Sequence, residues 1–241
     1  MKASSRTVES SQDGIHPRLS AELRRHQAHP LRGPVAPWNR EAFEQSLAAW
    51  RAWNPLAPLI LDTGCGVGMS TVNLARLYPE HFVIGVDKSS DRLERGKPWA
   101  GEALPENCVL VRAELADYWR LMAEEGIRLA RHYFLYPNPW PKVGHLARRW
   151  HGHGVFPILP GLGGIIECRS NWRTYVEEFA FALTQLTGQA AAVEPWQPET
   201  PFTPFEKKYQ DSGHALWRCV VDLGTEAVAL TPHSSLLTPC P

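Results

Sequence analysis

From residue 40 to residue 223 the chain alternates short apolar runs with longer stretches in which apolar positions recur three and four apart. Phe43, Leu47 and Trp50 fall at helical spacing and predict an amphipathic helix over 40–53. The run APLILD predicts a first strand over 57–62, followed by a glycine turn and a helix carrying Val72, Leu74, Ala75 and Leu77. HFVIGVD (81–87) reads as a second strand with a short helix near 92–96, and NCVLVR (107–112) as a third with a helix over 115–125. HYFLY (132–136) and GGIIECR (163–169) give a fourth and a fifth, a helix over 172–186 follows, and GHALWRCVVDL (213–223) closes the pattern as a strand. Parallel strands need crossover connections and bury both faces, so this alternation predicts a doubly wound α/β sheet. No internal repeat is visible.

The ends differ from this core. Residues 1–37 are rich in Ser, His, Arg and Pro without an apolar period, which predicts a mobile basic arm, either solvated or touching RNA. Residues 224–241 read as a flexible tail, leaving 38–223 as one catalytic-sized domain. With 241 residues and 44% hydrophobic content the chain can bury one substantial core. Lysine plus arginine equal aspartate plus glutamate at 25 each, so net charge supplies no pull toward nucleic acid. Apolar runs fall well short of the ~20 residues of a membrane span, and the first residues are polar, which predicts a cytoplasmic protein with no membrane association. Cys65, Cys108, Cys168, Cys219 and Cys240 are scattered without metal-site spacing, so they read as reduced thiols and no metal site is expected. Ten tryptophans supply core volume and stacking faces.

LDTGCGVGMS sits between the first strand and its helix. Gly64, Gly66 and Gly68 allow a tight turn and close approach of a ligand to the main chain, and Asp87 ends the second strand about twenty residues on, where a ribose diol is held. A carboxylate before the turn, Asp62, suits a cationic ligand better than a pyrophosphate. A turn that serves packing alone is the alternative. The arrangement resembles the Rossmann-like, class I S-adenosylmethionine-dependent methyltransferases, which implies a mostly parallel seven-stranded sheet. In their pattern Asp62, Gly64, Gly66 and Gly68 line the methionine side and Asp87 the ribose, with S-adenosylhomocysteine as product.

The run YPNPWPK, residues 136–142, follows the fourth strand, at the crevice position of an open α/β sheet. Each Xaa-Pro step restricts the residue before it, so Asn138, between Pro137 and Pro139, is held with little freedom. Together with VGHLARRW (143–150), SNW (170–172) and TPFEKK (203–208), in that order, this loop resembles the tRNA (guanine-N7) methyltransferases, whose motifs read P-D-P-W-x-K, R-H-x-K-R-R, T-D-W and T-K-F-E. The resemblance implies that Asn138 lies at the active centre against cofactor and substrate, and that Lys142, His145, Asn171, Thr203 and Glu206 lie on substrate positions. It also implies that Glu114, after Ala113, stands for the acid that follows the third strand, near adenine. Arg148 and Arg149 would be phosphate contacts, and Glu206 a brace for Lys142 or a substrate contact.

The chain departs from the motifs at five places. Both family aspartates are asparagines, Asn138 and Asn171, the basic run has Gly144 and Ala147, and Pro204 replaces a lysine. An amide brings no charge to a ring that becomes cationic and offers a donor beside its acceptor. The resemblance implies N-methylation by S-adenosylmethionine, with guanine in tRNA as the acceptor. The alternatives are a small heteroaromatic acceptor and a catalytically weakened RNA-binding paralogue, in a monomer or a homodimer.

Overall fold

The computed structural model describes residues 5–95 and 103–224. The 224–241 tail beyond Gly224, Cys240 and the end of the 92–96 helix lie outside the described residues. The chain order is α1 (Leu19–Ala28), α2 (Pro37–Trp53), β1 (Leu59–Thr63), α3 (Met69–Leu77), β2 (Phe82–Asp87), α4 (Ser90–Arg95), β3 (Cys108–Arg112), α5 (Leu115–Glu124) and β4 (Arg131–Leu135). Three short 3₁₀ turns and α6 (Leu159–Leu162) lead to β5 (Ile165–Ser170), α7 (Arg173–Thr187), β6 (Val193–Trp196), α8 (Pro204–Asp211) and β7 (Leu216–Asp222).

The seven strands form one sheet in the order β3-β2-β1-β4-β5-β7-β6. β1 pairs parallel with β2 and β4, β2 with β3, and β4 with β5, while β7 runs antiparallel to β5 and β6 antiparallel to β7. The chain leaves β1 toward β2 on one side and returns through β4 on the other, so the crevice of this sheet opens between β1 and β4. Alternation along each strand sorts the core. Leu59 and Leu61 pack on one face with Phe82, Ile84 and Phe134, while Ile60 faces the other with Val83, Tyr133 and Leu135.

Three elements differ from the pattern read in the sequence. The segment expected to be a mobile arm carries α1, whose Leu19 and Leu23 are fully buried against the core beside α7. A single i,i+4 leucine pair among charges is too weak a period to show, but it suffices once α7 offers an apolar face. The segment is also pinned by polar contacts: Ser10 Oγ donates to the Pro141 carbonyl (2.6 Å), Ser5 N to Ser212 Oγ (3.0 Å) and Gln12 Nε2 to Glu178 (2.7 Å). β6 was missed because VEPW is a four-residue edge strand containing a proline. α8 was missed because it is short and polar, yet its start carries a capping signature. Thr203 Oγ1 accepts from Glu206 N (2.9 Å), and Pro204 occupies the first helical position.

Candidate active site

Five parallel strands, β1 to β5, end at the carboxyl edge of the sheet. At the end of β1, Asp62 is buried, and its Oδ2 accepts from Ser70 Oγ (2.6 Å) and Thr71 Oγ1 (2.7 Å) at the start of α3. Its Oδ1 is equally buried and has no hydrogen-bond partner among the described residues. Burial pushes this carboxyl up to about 6, the two hydroxyls pull it back, and the nearby Asp87 charge adds to the rise. The glycine turn that follows has φ of +70°, +61° and +78° at Gly64, Gly66 and Gly68. A methyl group on Gly64 or Gly66 would meet no atom within 4 Å, so these two face open space, whereas on Gly68 it would lie 2.7 Å from Leu110 Cδ1. Gly66 and Gly64 thus leave room for a ligand, while Gly68 serves helix-to-sheet packing.

Asp87 at the end of β2 closes the turn from the other side. Its Oδ2 accepts from Gly66 N (3.0 Å) and its Oδ1 from Ser89 N (2.9 Å), with Arg92 3.7 Å away. After β3, Glu114 is exposed and its backbone N–H donates to Asn39 Oδ1 (3.0 Å); Asn39 Nδ2 in turn donates to Asp117 (2.6 Å). Helix α2 thereby holds the β3–α5 loop and presents Glu114 at the crevice edge.

The YPNPWPK loop leaves β4 with its first and fifth residues, Tyr136 (φ +55°) and Trp140 (φ +45°), in left-handed backbone, a conformation costly for bulky side chains. Tyr136 is held there by its backbone N–H, which donates to the Arg169 carbonyl on β5 (2.9 Å), and by its hydroxyl, which donates to Glu206 Oε1 (2.7 Å). Asn138 at the tip is exposed, and its Oδ1 accepts weakly from Trp140 N (3.4 Å). Trp140 meets the His145 ring edge-on at 5.6 Å and carries the Arg148 guanidinium over its face at 4.8 Å. Partial desolvation, then the Arg148, Lys142 and Arg149 charges, hold the His145 ring below its ordinary range. Lys142 is exposed at the head of the turn.

Two expected positions are corrected. Arg149, read as a phosphate contact, is fully buried. Its Nη1 donates to Glu178 (2.6 Å) and Gln12 (3.0 Å), its Nε to the Trp140 carbonyl (3.2 Å) and its Nη2 to the Lys142 carbonyl (3.4 Å). A guanidinium with five donors satisfies loop and helix at once, which leaves Arg148 alone to face outward. Glu206, read as a brace for Lys142, is also fully buried. It accepts from Tyr136, Trp196 Nε1 (2.9 Å) and Phe202 N (2.6 Å) and pairs with Arg169 (3.2 Å), so it ties α8 to β5 and β6 beneath the loop. The capping signature, Thr203 to Glu206, was the available signal for this inward position.

Asn171 follows β5, two residues beyond Arg169, and Arg169 is the register partner of Leu135, three residues before Asn138. The two asparagines thus leave neighbouring strands at the same edge. Asn171 Nδ2 lies 3.2 Å from His214 Nδ1. Sequence reasoning missed both Glu178 and His214; an acid inside an amphipathic helix and a histidine before a strand carry no local signal of what they touch.

The buried, half-bonded Asp62 carboxylate, the open glycine turn and Asp87 fit a cationic adenosyl ligand, and with this strand order they define a class I S-adenosylmethionine-dependent methyltransferase. Residues 56–219 match a family model described as a putative methyltransferase, and the chain belongs to that family. The tRNA (guanine-N(7)-)-methyltransferases of Neisseria gonorrhoeae (strain NCCP11945) and Acinetobacter baylyi are each 28% identical to it, over 169 and 174 residues. These alignments cover 68% of this chain in both cases, and 71% and 69% of the relatives. The solved 16S rRNA methyltransferase KamB shares the fold at a TM-score of 0.52 and 19% identity, over 81% of this chain and 95% of that one. An antibiotic-related methyltransferase does so at 0.51 and 16%, over 74% and 93%. No helix among the described residues is long and apolar enough to cross a membrane.

Proposed function

We propose that this enzyme transfers a methyl group from S-adenosylmethionine to N7 of a guanine in tRNA. The observation that carries the reading is the placement of two amides, Asn138 and Asn171, just beyond the carboxyl ends of the adjacent strands β4 and β5, at the sheet edge that also carries the open glycine turn. The names of the curated relatives supply the acceptor.

S-adenosylmethionine, when bound, supplies an electrophilic methyl on a sulfonium. Asp62 Oδ1, buried and without a partner among the described residues, would accept from the ligand's ammonium group, and Gly64 and Gly66 would let the main chain approach it. Asp87 keeps the turn closed through Gly66 and retains lone pairs for the ribose hydroxyls. Glu114, held at the end of β3 by Asn39, would stand on the adenine side. Guanine N7 has a lone pair and no proton, so no general base is needed; the protein's work is alignment and stabilisation of the charge that spreads over the ring. Asn138 and Asn171 hold the ring edge, the half-buried Trp140 offers a face beside it, and His145, Lys142 and Arg148 stand outside toward the backbone of the acceptor. Thr203 and Glu206 act through the loop, by fixing α8 and Tyr136.

A small heteroaromatic acceptor is the second reading, favoured by one observation: burial of Arg149 leaves Lys142 and Arg148 as the exposed cations of residues 136–150. Transfer of labelled methyl into bulk tRNA lacking N7-methylguanine, with nuclease mapping of the product, tests the choice. Label at a guanine N7 establishes the tRNA reading. No label, in a preparation that binds S-adenosylmethionine, refutes it and turns the search to small acceptors.

A further inference from the structure

His214, between α8 and β7, stacks on Tyr209 at 5.3 Å and 15° and touches two polar partners. Its Nε2 lies 3.0 Å from the Ser5 carbonyl, and its Nδ1 lies 3.2 Å from Asn171 Nδ2. A carbonyl oxygen can only accept, so Nε2 carries the proton. In a neutral ring Nδ1 is then a lone pair and accepts, and the only group Asn171 can offer it is the amide NH₂. This assignment follows from the carbonyl alone and does not depend on how the amide is drawn. Turning the amide around would set its oxygen against the Nδ1 lone pair.

We infer that His214 is a positioning residue that fixes the Asn171 amide with Oδ1 toward the crevice, making a neutral side chain an obligate acceptor for the N–H edge of the acceptor ring. The inference rests on the functional reading above for the identity of that ring. Guanine presents N1–H and N2–H donors there, whereas adenine presents a lone pair at N1, so the fixed amide selects guanine and rejects adenine. Asn138 complements it. Its Oδ1 is turned inward to Trp140 N, which leaves Nδ2 to donate, and guanine O6 is the acceptor beside N1–H. An unanchored asparagine would read both bases, because its amide can rotate. The Ser5 carbonyl, far away in sequence, thus sets which atom of Asn171 meets the substrate.

Two independent measurements test this. In the wild-type enzyme, ¹⁵N-edited spectra of the imidazole rings near neutral pH should show His214 as the Nε2–H tautomer, and in Asn171→Asp an Nδ1–H signal should appear, since a carboxylate has no proton to give. An Nδ1–H tautomer in the wild type overturns the assignment. For function, His214→Phe keeps the stack on Tyr209 and removes the acceptor; kcat/KM for unmodified bulk tRNA transcript should fall roughly tenfold, the worth of one hydrogen bond. Asn171→Asp, which accepts from either oxygen, should raise kcat/KM several-fold and should restore activity to His214→Phe in the double variant. A double variant no better than His214→Phe alone, with both folded by circular dichroism, overturns the positioning role. If the wild type methylates no tRNA, the functional reading falls, and the tautomer measurement still decides the orientation of Asn171.

Discussion

Replacing Glu178 with glutamine isolates the buried charge network that joins α7, the N-terminal segment and the YPNPWPK loop. Glu178 accepts from Gln12 Nε2 and His16 N through Oε1, and from Arg149 Nη1 and His151 Nε2 through Oε2. Burial works against its charge, but His151 and Arg149 outweigh it and hold the carboxyl down from 4.5 to about 2. The group's folded value lies below its unfolded one, so its contribution is fully present above about pH 4.5 and is lost as pH falls through about 2. That difference is worth roughly 3 kcal/mol, in line with the ~3–5 kcal/mol lost when one partner of a buried pair is removed. At about 2–4 °C per kcal/mol for a chain of this size, Glu178→Gln should lower Tm by roughly 6–12 °C, read from tryptophan fluorescence near pH 7. The acid limb of stability below pH 4.5 should flatten in the same variant. Because Arg149 also holds the Trp140 and Lys142 carbonyls, kcat/KM should fall with the loop's order. Exchanging both partners for apolar residues, Arg149→Met with Glu178→Leu, should recover most of the stability but not the loop-dependent activity. A Tm change within about 2 °C for Glu178→Gln would refute the reasoning, because it would mean the unpaired guanidinium is not desolvated.

Asp62 has the opposite sign: its folded value, about 6, lies above 3.8, so its contribution to apo stability is present below 3.8 and lost as pH rises through about 6. A cationic ligand at Oδ1 favours the ionised form, so calorimetry of S-adenosylmethionine binding near pH 6 in buffers of different ionisation enthalpy should show net proton release that Asp62→Asn removes; buffer-independent heats would contradict this. Gly66→Ala meets no atom within 4 Å but keeps φ at +61°, so stability should drop only about 1–2 kcal/mol while S-adenosylmethionine affinity falls further, as isothermal titration reports. Gly85→Ala would place its methyl 2.1 Å from Thr71 Oγ1, disturbing a hydroxyl that holds Asp62, and should cost both stability and affinity; an unchanged melting curve would count against the Asp62–Thr71 contact.

The parallel half of the fold was legible because its strands are continuous apolar runs buried on both faces, as in VIGV at the centre of β2. The glycine turn and Asp87 were legible for a similar reason: strand, turn, helix and acid keep fixed spacing in one stretch of chain. What stayed hidden depends on partners distant in sequence. Arg148 and Arg149 are adjacent and chemically identical, yet one lies over Trp140 and the other is sealed against Glu178. No periodicity separates them, because the 3₁₀ turn that ends on Arg148 and is capped by Arg149 has one buried apolar side chain, Leu146, to set its phase. His214 carried no signal at all until the Ser5 carbonyl was placed beside it.

Within the YPNPWPK loop, the atoms that make the shape and the atoms that meet the ring are different. Tyr136 and Trp140 hold the unusual backbone, anchored from below by Arg169, Glu206 and Arg149, while Asn138 is exposed and, among the described residues, bonds only to a backbone N–H of its own loop. A lineage can therefore exchange Asn138 in a single step, altering what the enzyme accepts without rebuilding the frame. The aromatic and proline positions allow no such drift, since each change there would have to be matched elsewhere. Acceptor choice is the evolvable part of this loop, and its architecture is the inherited part.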